Sequence, residues 1–259
     1  MLNKILDMKN LSFFTFLMLF FVAVFPLKAQ LTATEIITKA DEVTRGESSI
    51  AVMTMTIVRP TYERTVEFKS WGKGYDKSLT IITFPPRDKG QVFLKVGKDV
   101  WNWQPAIDRT IKLPASMMSE GWMGSDFSNE DLLNESSMVV DYTHTLKGSE
   151  NVSGMDCYKI EMMPKPNSPV VWGKVVKWIS KEGFLQLKTE YYDDDNFLIK
   201  TEIGKEIKVM GGRKIPTVME ILPEEEKGNL TRVVIKSIEF NVAIDDDFFS
   251  VQKMKTIRP

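Results

Sequence analysis

From Leu31 to Arg45 the apolar positions Leu31, Ile36, Ile37, Ala40 and Val43 fall at helical spacing. Thr32 and Glu35 stand three apart as a capping box, and Gly46 supplies the stop, so one amphipathic helix opens the folded part of the chain. After it the period changes to two. β-branched and aromatic residues alternate with polar ones in short runs bounded by Gly, Pro, Asn and Asp. The predicted strands are Ile50 to Val58, Tyr62 to Trp71, Leu79 to Phe84, Val92 to Val96, Val100 to Trp103 and Thr110 to Leu113, then Val139 to Leu146, Cys157 to Met163, Val175 to Ser180, Leu185 to Tyr192, Phe197 to Ile203, Ile215 to Leu222 and Leu230 to Phe240. Short turns between successive strands favour an antiparallel meander.

Alternation assigns one row of side chains to each sheet face. In the first strand, Ile50, Val52, Thr54, Thr56 and Val58 form one row and Ala51, Met53, Met55 and Ile57 the other. Neither row is charged, which predicts cover on both faces. In the second strand Glu63, Thr65, Glu67 and Lys69 oppose Tyr62, Arg64, Val66 and Phe68, so one face is wet. A bent sheet of this kind is compatible with an open barrel, a closed barrel or a sandwich.

The pattern breaks between Asp99 and Leu133. Trp101 and Trp103 sit two apart and share one strand face, Pro105 stops pairing, and a strand follows at Arg109 to Leu113. Then Met117, Met118, Trp122, Met123 and Phe127 follow without period, with Gly121 and Gly124 between them. Such a concentration of large apolar groups in an irregular connection predicts a mobile flap with an apolar underside. Ser128, three residues before Asp131, predicts the N-cap of a short helix.

The runs D-V-W-N-W-Q-P at Asp99 to Pro105, R-T-I-K-L-P at Arg109 to Pro114, P-P-R-D-K-G-Q-V-F-L-K-V at Pro85 to Val96 and above all G-W-M-G-S-D-F-S-N-E-D-L at Gly121 to Leu132 resemble the outer-membrane lipoprotein-sorting proteins, the LolA-like group of periplasmic carriers. The resemblance implies a mainly β fold with a few helices: a half-open antiparallel β-barrel wrapped around helices, with an apolar concave interior. It also implies an Arg on an early strand that tethers a lid. Arg64 and Lys73 are the candidates.

Residues 1 to 30 form a separate targeting segment. Lys4 and Lys9 precede the apolar run Leu11 to Leu27, and Leu27-Lys28-Ala29 is an imperfect small-residue site for cleavage near Ala29; retention as a membrane anchor is the alternative. The remainder, 31–259, is read as one lipid- or lipoprotein-binding domain in the periplasm. No Cys follows the apolar run, so the chain carries no lipid-modified N-terminal Cys, and the single Cys157 excludes an intrachain disulfide. Removing Lys4, Asp7, Lys9 and Lys28 takes the net charge from −1 to −3, with both signs interspersed, and no nucleic-acid footprint is visible.

Catalytic chemistry is poorly represented. Gly124-Ser125-Asp126 and His144 superficially suggest a hydrolase, but there is no G-x-S-x-G, and His144 lies in an alternating segment. One His and one Cys cannot make a usual zinc site. Asp126, Glu130 and Asp131, or Asp193 to Asp195, lack the spacing of a calcium loop and read as capping and turn residues. Gly211-Gly212 reads as a hairpin turn rather than a phosphate cradle. The expectation is therefore no enzyme, no metal and no cofactor.

What the chain has in excess is methionine, 15 in all and twelve after the targeting segment. Met53, Met55, Met162, Met163 and Met219 read as core filling, and Met117, Met118 and Met123 as adaptable ligand contacts. Acyl burial is worth about 0.8 kcal/mol per methylene, so a sixteen-carbon chain supplies roughly 12 kcal/mol without any catalyst. The expected function is a periplasmic carrier, monomeric, that takes acyl chains of lipoproteins or lipids from an inner-membrane exporter toward an outer-membrane acceptor. Trp101, Trp103, Met117, Met118, Trp122, Met123 and Phe127 are the expected lipid contacts and Gly121 and Gly124 the lid hinges. A sensing module that binds lipid and reports to a membrane partner, and a flap that is a permanent plug, are the alternatives.

Overall fold

The computed structural model describes residues 30–133, 137–168 and 170–259, and the fold lies within Thr32–Pro259. Helix α1, Ala33–Arg45, opens it as its pattern predicts. Thr32 Oγ1 accepts from the Glu35 backbone N–H (3.2 Å), the Glu35 carboxylate accepts from the Thr32 N–H (2.8 Å), and Gly46 takes the C-cap with φ +68°. Its buried side, Ile36, Ile37 and Ala40, lies against strands of the second half of the chain.

Thirteen antiparallel strands form one sheet: β1 Ser48–Arg59, β2 Tyr62–Lys73, β3 Lys77–Phe84, β4 Val92–Val96, β5 Asp99–Gln104, β6 Arg109–Lys112, β7 Tyr142–Val152, β8 Met155–Pro164, β9 Lys174–Ser180, β10 Gln186–Tyr192, β11 Leu198–Met210, β12 Arg213–Pro223 and β13 Leu230–Phe240. Their spatial order is β6-β5-β4-β3-β2-β1-β13-β12-β11-β10-β9-β8-β7. Two meanders therefore meet where β1 pairs with β13, and the sheet curls without closing. Bulges at Val52/Met53, Glu67/Phe68, Leu146/Gly148 and Tyr191/Tyr192 add local twist and bend, and β12 pairs with β13 over only Val218–Ile221.

Three expectations are corrected. Val139 and Val140 belong to a short helix, α3 (Ser137–Val140), and the strand begins at Tyr142. β11 continues through Gly204 to Met210, beyond the predicted Ile203. A Cβ at Gly204 would stand 2.6 Å from the Gln186 carbonyl oxygen, so the glycine there serves a close approach of backbones. The predicted double cover of β1 is one-sided: Ala51, Met55 and Ile57 are buried, whereas Ile50, Val52, Thr54, Thr56 and Val58 are half-exposed.

The wet face of β2 is as expected, with Val66 and Phe68 buried. Gly211 and Gly212 form the β11–β12 turn at φ +58° and +78°, the left-handed pair a two-residue hairpin needs.

Consecutive strands β6 and β7 are the two opposite edges of the sheet, so the segment joining them has to cross the open side of the barrel. That segment is the apolar interruption, and it holds helix α2, Asn129–Leu133, and α3. After β13, a 3-10 turn at Asp246–Phe248 and helix α4, Val251–Thr256, cover part of the outer face. No helix among the described residues is long and apolar enough to cross a membrane.

Candidate functional site

The flap descends into the inner face of the sheet. Trp122 and Phe127 are buried with Met55, Ile57, Val66, Phe68, Ile82, Phe93, Val100, Ile221 and Val233, and Met53, Met118, Met123 and Met219 pack around this cluster. The Trp122 ring meets Phe68 edge-on at 5.2 Å and Phe93 at 5.3 Å between centroids. Trp122 is 1% exposed, whereas Met117 is 42% exposed and stands off the cluster. Met163, expected in the core, is 44% exposed, and Met162 beside it is buried, as strand alternation requires.

Local hydrogen bonds give the flap a defined turn. Trp122 N–H donates to the Phe127 carbonyl (2.7 Å), Ser125 N–H to the Trp122 carbonyl (3.0 Å) and Asn129 N–H to the Glu120 carbonyl (2.8 Å). Ser128 Oγ accepts from Asp131 N–H (3.0 Å) while Asp131 Oδ2 accepts from Ser128 N–H (2.7 Å), the reciprocal cap expected at α2. Gly124 sits at φ +77°. Gly121 does not: its φ is −64°, and a Cβ there would stand 2.6 Å from the Ser125 carbonyl oxygen, so its glycine answers to sterics.

Charged groups tether the flap to the sheet. Arg64 on β2 donates to the Met123 carbonyl (2.9 Å) and to Asp88 Oδ2 (2.5 Å), and Arg59 at the end of β1 grips both Asp126 oxygens (3.0 and 2.9 Å) and the Gly124 carbonyl (3.2 Å). Thr231 Oγ1 donates to Asp126 Oδ2 (2.6 Å) and accepts from its backbone N–H (3.0 Å), and Lys200 pairs with Asp131 and donates to the Asp126 carbonyl (3.0 Å). Of the two tether candidates, Arg64 meets the flap, while Lys73 binds the Ile244 carbonyl (2.7 Å) and Asp246 (2.7 Å) near the C-terminus. Arg59 carries no signal of this role in the sequence, because Val58-Arg59-Pro60 reads as a strand end, where a charge is ordinary.

Trp101 and Trp103 need correction as ligand contacts. They share a face, as their spacing predicts, but it is the outer one: both belong to the cluster of Leu79, Ile81, Val92 and Leu94 beneath Phe249 and Met254, and Lys255 lies 5.4 Å over the Trp103 ring. Val100, one residue out of phase, faces the flap.

Beneath the flap lies a cavity of about 250 Å³. Ala51, Met53, Phe68, Trp122, Phe127, Met219, Val233 and Ile235 make its apolar wall, and Ser70, Thr80, Lys95, Glu130, Lys177, Gln186 and Glu202 a polar one. Thr44 and Arg45 from α1, Lys77 on β3 and Asp131 on α2 also line it. Burial, then the neighbouring Asp131, pushes the Glu130 carboxyl up to about 7 against the opposing pull of the Val171 backbone N–H and Lys95. No group of residues that could hold a metal ion occurs among the described residues. Ser125 Oγ is engaged by the Phe127 backbone, and the His144 ring by Thr34 Oγ1 (3.1 Å) and the Met138 carbonyl (2.8 Å), so the two do not form a nucleophile and base. Burial pushes the His144 imidazolium pKa down, which favours the neutral ring.

A family model described as that of an uncharacterized protein matches residues 74–256. Three solved structures share the architecture. A DUF1329 family protein from Desulfovibrio piger has 26% identity and a TM-score of 0.79, covering 86% of this chain and 97% of its own. A putative outer membrane lipoprotein-sorting protein domain from Vibrio parahaemolyticus has 23% identity and a TM-score of 0.75, covering 86% and 98%. A LolA superfamily protein from Nitrosomonas europaea has 23% identity and a TM-score of 0.76, covering 86% and 100%. The chain belongs to the family of that model, and its fold is LolA-like.

No match occurs among curated proteins. The flap motif and the strands before it from β3 onward lie inside the matched segment. The tethering arginines on β1 and β2 precede that segment.

Proposed function

We propose that this protein is an exported, periplasmic carrier that holds an acyl chain of a lipoprotein or lipid in the trough beneath the flap and shuttles it toward the outer membrane. The observation that carries the reading is the plug-like flap: Trp122 and Phe127 fill an apolar trough that still retains a cavity of about 250 Å³. An apolar cavity of roughly 150 Å³ accommodates a benzene-sized guest. A long acyl chain needs more, so the methionine side chains of the flap, Met118 and Met123, have to leave as the ligand enters.

That exchange reconciles tight burial with release. The free chain gains roughly 12 kcal/mol from leaving water, and displacing the flap's Met118 and Met123 from the inner-face cluster offsets part of it. Gly124, Trp122, Met118, Met123 and Phe127 are the lid and contact residues under this reading. Met117 would be recruited on opening. An inner-membrane exporter and an outer-membrane acceptor are the matching partners for a monomeric shuttle.

Replacing Trp122 and Met123 together by Ser should change the affinity for a fluorescent fatty acyl probe about 10-fold or more while the β-sheet circular dichroism persists. Unaltered affinity in the folded double variant would exclude the flap from the site. Native mass spectrometry of protein released gently from cells should show a bound lipid mass; a lipid-free species alone favours a permanent plug.

A further inference from the structure

Four buried side-chain atoms have no hydrogen-bond partner among the described residues: Thr110 Oγ1, Trp122 Nε1, Glu130 Oε2 and Tyr142 Oη. Such atoms are unfavourable and rare in folded proteins. Two of the four belong to residues lining the same cavity, and these residues, Trp122 and Glu130, are 1% and 4% exposed. Their chemistry is complementary. The indole Nε1–H only donates, and a carboxyl oxygen accepts.

The surrounding wall narrows the kind of group that would satisfy them. Glu130, Asp131 and Glu202 oppose an added anion, and Arg45, Lys77, Lys95 and Lys177 oppose an added cation. These four cations are engaged by the protein, Arg45 with Asp41 (2.9 Å), Lys77 with Asp246 (2.8 Å), Lys95 with the Tyr75 carbonyl (2.8 Å) and Lys177 with Gln186 Oε1 (2.6 Å). Ser70 and Thr80 hydrogen-bond each other at 2.9 Å. The apolar side chains Phe68, Phe127 and Val233 on the same cavity wall provide for hydrocarbon.

We infer that the cavity is a subsite for the uncharged root of an acyl chain, an ester or amide carbonyl with an adjacent O–H or N–H. Trp122 Nε1 donates to the carbonyl oxygen and Glu130 Oε2 accepts from the O–H or N–H. Trp122 and Glu130 are then specificity-determining residues for neutral acyl linkages over free fatty acids. The inference rests on the acyl-binding reading above and adds the class of linkage.

Displacement of a fluorescent apolar probe by four twelve-carbon ligands tests it: monolauroylglycerol, N-lauroylethanolamine, laurate and dodecane, each at pH 8. Net hydrogen bonds are worth roughly 3- to 10-fold each in affinity, so at least one neutral linkage should displace the probe at about 10-fold lower concentration than dodecane or laurate. The better of the ester and the amide identifies the source of the carbonyl. Trp122→Phe keeps a ring and removes the donor, and Glu130→Met keeps the length and removes the oxygens. Each should reduce the preference for the neutral linkage over dodecane about 3- to 10-fold, and Glu130→Gln should restore part of it.

Equal displacement by dodecane and the neutral linkages in the wild-type protein overturns the subsite and leaves acyl binding standing. The same holds if the variants weaken all ligands in proportion. Failure of every ligand to displace the probe overturns the acyl-binding reading and this inference with it. The wild-type comparison decides the matter even if a variant does not fold.

Discussion

Two residues of the flap illustrate how like signals in sequence carry unlike causes. Gly121 and Gly124 both read as hinges, yet only Gly124 has the left-handed backbone that favours glycine. Gly121 is held by its lack of a Cβ beside the Ser125 carbonyl. Gly121→Ala should therefore shift the turn and destabilise the protein by about 1–3 kcal/mol in denaturant unfolding; a neutral effect would show that the turn relaxes freely. Arg59 and Asp126 form a mostly buried pair, their side chains 13% and 8% exposed. Removing one partner of such a pair costs about 3 kcal/mol by leaving the other charge unmatched. Arg59→Ala should speed amide exchange across residues 121–128 ahead of β1 and β13, and uniform acceleration of both regions would argue against a separate flap unit. Trp101 and Trp103 teach a related point: spacing established that they share a face, but not which one, because β4 and β5 bury large apolar groups on both faces, Phe93 and Val100 on one and Val92, Leu94 and Trp103 on the other.

Elements were legible where local physics closes the account. The capping box and Gly46 delimit α1, and period-two alternation finds every strand, since both signals lie within a few residues. They failed where distant contacts decide. Val139-Val140 has strand propensity but adopts a helical turn beside α1, and the Gly-Lys-Glu stretch of β11 pairs because β12 lies alongside. For α2, the buried Glu130 makes a pH prediction. Its folded value, raised from 4.5 to about 7, means the native state holds the proton more tightly than the unfolded chain. Stability from this group is thus fully present below pH 4.5 and is lost as pH rises through 7, by up to about 3 kcal/mol. Urea unfolding of Glu130→Gln should show a flatter profile between pH 4.5 and 7 than the wild type; parallel profiles would mean that Glu130 is ionised throughout.

At the scale of the whole molecule, the two sides of the sheet have different duties. The inner face holds the flap and the cavity, and the outer face is sealed near β3–β5 by the C-terminal turn and α4, with Phe249 and Met254 buried. Phe249→Ala should destabilise the fold by about 3–5 kcal/mol without altering acyl-probe affinity under native conditions. A matched loss of affinity would couple the two faces. Hydrophobic patterning by itself placed the strands, the opening helix and the apolar interruption, and the motif at Gly121 to Leu132 pointed to the LolA-like fold. These depend on side-chain order over a few residues. Tertiary structure alone decided that β6 and β7 are opposite edges, that the interruption must therefore span the trough, and that Arg59, Arg64, Lys200 and Thr231 converge on it from β1, β2, β11 and β13. The reason is physical: a charge or an indole has no partner until strands far apart in the chain pair and the sheet curls, and only that curvature gives an alternating row an inside and an outside.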